Sequence, residues 1–269
     1  MKLSTFFALA SITLLSGSLL AQVDAPRVGI LRCADRTVRP ILGLQDNFIL
    51  GDAVFASADA VSFSDRGGLA ASNGSVYVVA PSGHVLGQYS SSERHPVLSI
   101  ERDLTTAIAY LPSEQTLLRW NGRSFSPVRL ATAASFGTIS SIELQDTDSA
   151  RLLATTPDNN VSEITVSLDT GQTASVRLLP SIQGPAFLYD SLVLFQDKEG
   201  LEIEAANGAR RTLSIAAEHL VVERMASQWL HITSSDTKQS WALNLSGGTL
   251  HLSEIPAAPP KTNLRRGSK

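Results

Sequence analysis

The residues able to do chemistry are few and scattered along these 269 residues. Five histidines, His84, His95, His219, His231 and His251, stand apart, and none pairs with another at metal-ligand spacing. His231 and His251 alternate with Leu230, Ile232, Leu250 and Leu252, which assigns both to the polar faces of strands. Their imidazoles would meet only if those strands were neighbours. Asp146-Thr147-Asp148 and Asp158-Asn159-Asn160 are oxygen-rich, yet lack the ligand count and the Gly-and-Glu frame of a calcium loop, so they read as turns. Cys33 is the single cysteine, which leaves no intramolecular disulfide and a small buried or half-buried hydrophobe. No Gly-x-Ser-x-Gly elbow singles out a serine, and Gly67-Gly68 and Gly247-Gly248 lie between strands, opening no helix to cradle a phosphate. Catalytic and binding residues are therefore left unassigned, and neither a metal nor a cofactor is expected. Asn73, Asn160 and Asn244 each begin an Asn-x-Ser acceptor pattern, which has meaning only in a eukaryotic secretory route.

The elements that must position these groups are strands. Glu163 to Leu168, Ala174 to Leu178, Leu201 to Ala205 and Trp241 to Leu245 alternate apolar with polar residues, placing one side of each on a core. Val76 to Ala80, Thr106 to Leu111, Leu192 to Phe195 and Leu220 to Val222 are nearly continuous apolar runs, which fits strands covered on both faces. Glycines recur in polar turns at Gly83, Gly122, Gly171, Gly208 and Gly248, at intervals of 39, 49, 37 and 40 residues. A period near 40 made of short strands signals a radial repeat, because one small sheet cannot bury its apolar face alone. The turn chemistry divides the chain into five four-strand units, about Ala60 to Tyr89, Val97 to Leu130, Ile139 to Leu179, Ala186 to Ile215 and His219 to Glu254. Two shorter runs, Val28 to Arg32 and Thr37 to Leu42, precede them, and Pro40 argues for an edge or outer strand. The fold expected is an all-β propeller of five four-stranded blades, or of five with a partial sixth, closed by pairing the N-terminal hairpin with the C-terminal end. Most aromatic side chains, Trp229, Trp241, Tyr77, Tyr89, Tyr110 and Tyr189, fall inside strands where they fill the core between blades. For Trp120, directly before Asn121-Gly122, the core is again the first reading, with exposure at a blade edge as the alternative.

One stretch resembles a known family. Ala60 to Leu86 (AVSFSDRGGLAASNGSVYVVAPSGHVL) is similar to a blade of the WD40/YVTN-type β-propellers, with a V-x-F-S strand in the outer position, Asp65 and Gly67 in the next turn, a G-L-A strand, a tight Asn73-Gly74 and a V-Y-V strand. Leu111 to Phe125 echoes its later half, while the Trp-Asp dipeptide of typical WD40 blades is absent. The resemblance implies a propeller used as a binding platform, and it transfers no functional residue.

The ends of the chain bear on its location and partners. Residues 1–21 hold Lys2, an apolar run from Leu3 to Leu15 and small residues before Ala21, the three parts of a secretory signal peptide, cut after Ala21 or after Ser18. The mature chain is then expected to be periplasmic or extracellular, with no transmembrane segment. Residues 256–269 are rich in Pro and carry Lys261, Arg265, Arg266 and Lys269 without an acid, the composition of a disordered basic tail. Setting aside that tail and Lys2 turns a net charge of −3 into about −8 for the propeller domain, residues 22–255. Such an acidic body argues against nucleic acid as a partner. A monomeric, non-enzymatic binding or scaffold protein for a protein or glycan partner is expected. The alternative is a lactonase-like propeller hydrolase, which would show two or more carboxylates or histidines converging within about 4–6 Å at the central channel.

Overall fold

The computed structural model describes residues 25–131, 136–246 and 249–257. Residues 1–24, which include the stretch expected to be a signal peptide, residues 132–135, Gly247-Gly248 and residues 258–269, most of the expected tail, lie outside the described residues. Among the described residues, twenty-three strands form six antiparallel sheets, each built from consecutive strands in chain order. The first has three strands, β1 (Arg27–Arg32), β2 (Val38–Leu44) and β3 (Asn47–Leu50). The second comprises β4 (Ala60–Ser64), β5 (Gly67–Ser72), β6 (Ser75–Val79) and β7 (Val85–Ser90). In the third are β8 (Val97–Ile100), β9 (Ala107–Leu111), β10 (Thr116–Trp120) and β11 (Phe125–Arg129). The fourth runs β12 (Thr138–Leu144), β13 (Ser149–Thr155), β14 (Asn160–Ser167), β15 (Thr173–Gln183). The fifth holds β16 (Ala186–Tyr189), β17 (Leu192–Asp197), β18 (Gly200–Ala205) and β19 (Arg210–Leu213), and the sixth β20 (Leu220–Ala226), β21 (Trp229–Ser234), β22 (Ser240–Asn244) and β23 (His251–Glu254).

These sheets are the blades of a β-propeller, with all five four-strand units and a partial sixth at the N-terminus. Among the described residues, a hydrophobic cluster fills the gap between each blade and the next, and another, around Leu31, Ile41, Met225 and Ala242, joins the last blade to the first. A face-to-face stack that returns to its start is a ring. The recurring glycines sit where the period placed them. Gly83, Gly122, Gly171 and Gly208 link the third strand of a blade to the fourth, all at positive φ of 70–87°.

Three expectations are corrected by the packing. The V-x-F-S strand β4 is innermost, not outer: Val61 and Phe63 are buried, and β4 packs against β8 and β20. The exposed outer positions belong to the fourth strands, such as β7 and β19. Pro40 lies on β2, the middle strand of its sheet. It is tolerated there because β3 ends at Leu50, opposite Ile41, so the missing N–H faces a position beyond the ladder, where Gly51 N–H donates to Pro40 O at 2.9 Å. Finally, the N-terminal hairpin does not pair with the C-terminal end. It adds β3 and forms its own sheet, which closes the ring by side-chain packing.

That first sheet also runs the other way. A Cβ added to Gly29, near the start of β1, would lie 2.5 Å from the carbonyl oxygen of Met225 near the end of β20, whereas Arg32 at the end of β1 meets Glu223. Arg27 donates to Pro81 O, and beyond β1 Arg36 pairs with Asp59, just ahead of β4. Strand β1 is therefore antiparallel to β4 and β20. Its sheet stands in for the second, third and fourth strands of a blade with no innermost strand, and β20 packs directly on β4.

Candidate functional site

The missing innermost strand brings two charged side chains from β20 into the axis of the ring. Glu223 and Arg224 are buried, whereas the neighbouring apolar Val221 is 43% exposed. Successive residues of a strand point to opposite faces, so the two acids and bases they meet differ. Glu223 turns toward the first two blades: its Oε1 accepts from Arg32 Nε at 3.1 Å and from Val61 N–H at 3.4 Å. Arg224 turns toward the third, fourth and fifth. Its Nη1 donates to Ile100 O at 2.9 Å, its Nη2 lies 3.5 Å from both Glu143 Oε1 and Asp190 Oδ1, and its guanidinium stacks 4.6 Å above the Tyr189 ring.

Beside Glu223, Glu143 and Asp190 thus converge on Arg224 at the axis. Glu143 also holds Arg151 at 2.5 Å and accepts from Asp190 N–H at 2.7 Å, while Asp190 is 3.5 Å from Arg102. Burial raises the Glu143 carboxyl above its ordinary range against the pull of Arg151 and Arg224. Burial likewise pushes the Tyr189 phenol up to about 12, and its hydroxyl donates to Ser227 O. Ser99 to Asp103, Glu143, Asp190 and Arg224 line a cavity of about 350 Å³ at this mouth, which contains no histidine.

A larger cleft of about 740 Å³ opens at the seam between the first and last blades, lined by Leu31, Leu50, Val221 and Ile255 with Arg32, His231 and Lys238. His231 faces Glu223 across the β20–β21 ladder. It is 2% exposed, so its sequence assignment to a solvated polar face is corrected, and its two ring nitrogens have no hydrogen-bond partner among the described residues. Its Nδ1 stands 3.8 Å from Glu223 Oε2, an ion-pair separation longer than a hydrogen bond. Burial would raise the Glu223 carboxyl, but His231 and Arg32 outweigh it and hold it below the ordinary carboxylate range. Cys33 borders the same cleft. It is buried, as its composition suggested, and burial raises its thiol.

The remaining candidates are dispersed. His251 lies on β23, separated from β21 by β22, and meets Asp46 of the first sheet at 3.1 Å, so the two histidines do not form a metal pair. Asp146 accepts from the Asp148 N–H at 2.8 Å as a turn residue. Trp120 is 3% exposed and packs on Phe125, so it belongs to the core and the alternative of a blade edge is set aside. Glu218, His219 and Asp236 approach one another on the surface, all exposed. Sequence reasoning missed Glu223 and Arg224 because they follow directly on Leu220 to Val222, an apolar run that reads as core. The available signal was that these charged residues interrupt such runs.

No family model and no curated protein matches this chain. Solved structures that resemble it include the β-propeller domain of Cps50 (Swd1) from Myceliophteria thermophila, at 10% identity and a TM-score of 0.48, covering 87% of this chain and 90% of that one. A proposed 6-phosphogluconolactonase from Bacteroides uniformis gives 15% identity and 0.46 over 84% and 79%. PorZ, a surface component of the type-IX secretion system of Porphyromonas gingivalis, gives 10% and 0.47 over 88% and 38%. No role is carried from them to this chain.

Proposed function

We propose that this protein is an exported, non-enzymatic propeller that binds a protein or glycan partner through the loops at the ends of its blades. The observation that supports this reading is the filled axis. Glu143 and Asp190 converge there in ion pairs with Arg224, and Glu143 with Arg151 as well, an arrangement that uses both carboxylates to hold blades together and does not favour a hydrolase at the channel. The concave polar surface lies instead at a blade end, where Arg36, Asp59, Asn73, Ser91, Arg94 and His95 line a recess of about 620 Å³. Recesses of this kind, on loops held by a rigid ring, are where scaffolds carry recognition. Export rests on the leader-like composition of residues 1–21. Cross-linking pull-down from the exported fraction tests the proposal, comparing wild type with an Arg94→Glu/His95→Glu variant. The expected result is one saturable partner lost in the variant, recovered with a chain whose N-terminus has been trimmed. Equal recovery by both proteins, an intact Met1, or turnover of a lactone by the purified protein would overturn it.

A further inference from the structure

The seam cleft has the features of a small-molecule site, and this is independent of any macromolecular partner. Its volume of about 740 Å³ falls within the roughly 300–1,000 Å³ of ligand pockets. Leu31, Leu50, Val221 and Ile255 supply apolar walls. His231 is a nearly fully buried polar side chain in that lining with no hydrogen-bond partner among the described residues, and native proteins rarely leave such a group unsatisfied.

The charges around the cleft set the kind of ligand. Glu223 already has Arg32 at 3.1 Å, so the carboxylate beside His231 is neutralised before the imidazole is counted. Asp35 turns back on its own loop, accepting from Thr37 N–H at 3.0 Å and from the Thr37 hydroxyl. Lys238, whose ammonium also donates to Ser235 O, adds a cation to the lining, and Asp35, the one acidic residue among the described lining residues, is turned into its own loop. We infer that the cleft between the first and last blades binds a small organic carboxylate with an apolar body, its head group accepting from His231 and facing Lys238, its chain against Leu31, Leu50 and Ile255. The imidazole has Nδ1 3.8 Å from Glu223 Oε2, which leaves Nε2 as the nitrogen to donate to an anion, the stronger class of hydrogen bond in a dry site.

Calorimetric titration with octanoate and with octan-1-ol, which differ only in the head group, tests the assignment. Octanoate is expected to bind saturably at one per chain, and octan-1-ol at least about tenfold more weakly, since charge-assisted bonds are roughly twice as strong as neutral ones. His231→Leu is expected to weaken octanoate about tenfold or more and to erase the preference for the acid, and Leu50→Trp to block both probes. Circular dichroism melts establish that each variant folds. Should His231→Leu fail to fold, Lys238→Gln on the rim carries the test, with an expected loss of several-fold for octanoate and none for octan-1-ol. Equal affinity for acid and alcohol, affinity unchanged in a folded His231→Leu or Lys238→Gln variant, or no saturable binding at millimolar octanoate would overturn the inference.

Discussion

Replacing Arg224 by methionine removes the cation that holds three blades to the axis while keeping most of its volume. The side chain is 9% exposed, and four interactions end with it: the bond to Ile100 O, the contacts with Glu143 and Asp190, and the stacking on Tyr189. Breaking a buried ion pair from one side costs about 3–5 kcal/mol, because the partner charge stays behind. Here the lower end applies. Glu143 keeps Arg151 and the Asp190 N–H, and Asp190, half exposed, can rehydrate. About 3 kcal/mol at roughly 2–4 °C each, the sensitivity of a domain of this size, lowers Tm by about 6–12 °C. The companion variant Arg224→Met/Glu143→Gln removes the stranded charge and should recover about 1–2 kcal/mol of that loss, a coupling within the range for residues in contact. Denaturant unfolding followed by circular dichroism reads both. A single-variant loss below about 1 kcal/mol, with the double variant simply additive, would refute the idea that this arginine organises the axis.

Three further outcomes follow from the seam. Gly29→Ala places a methyl group 2.5 Å from the Met225 carbonyl oxygen, so it should destabilise by roughly 1–3 kcal/mol in denaturant unfolding, and a neutral result would mean that β1 and β20 pack less closely. Asp46 is held below its ordinary 3.8 by hydrogen bonds from Ser253 and His251, so its stabilising contribution is present above that value and disappears as pH falls through the lowered folded one. Asp46→Asn should therefore flatten the decline of Tm below about pH 4, and an unaltered acid limb would contradict this. Cys33, buried and with its thiol raised, should react with a water-soluble disulfide reagent only in denaturant; rapid labelling of the native protein would place it at the surface instead.

The propeller was legible because its two signals are local. A glycine at positive φ closes the same turn in successive blades, and period-2 alternation marks the strands between, so the four-strand units end within a few residues of where turn chemistry placed them. What local pattern cannot show is which strand faces the axis. Val61-Ser62-Phe63 carries the same marks on an inner strand as on an outer one, and only packing against β8 and β20 distinguishes them. The charged groups were hidden for a related reason. Glu223 and Arg224 are buried because charged partners 34 to 191 residues away, Asp190 the nearest and Arg32 the farthest, converge on them, and no spacing rule relates Arg32, Glu143 and Glu223. His231 was assigned to a wet face by alternation with Leu230 and Ile232, but in a ring both faces of a blade are covered by neighbours, so alternation separates two cores rather than core from solvent.

Among the described residues, no sheet of this ring draws strands from both ends of the chain, since each is built from strands consecutive in sequence. Pairing within a sheet is consequently short-range, and every blade can complete its ladder as soon as its own segment is available, in the order of synthesis. Only docking of the first sheet against the last spans the whole length, through the packing of Leu31, Ile41 and Phe48 on Met225 and Ala242. Assembly is thus divided into many quick local steps and one slow long-range one, and the final event is a clasp of side chains that can open without unzipping a ladder.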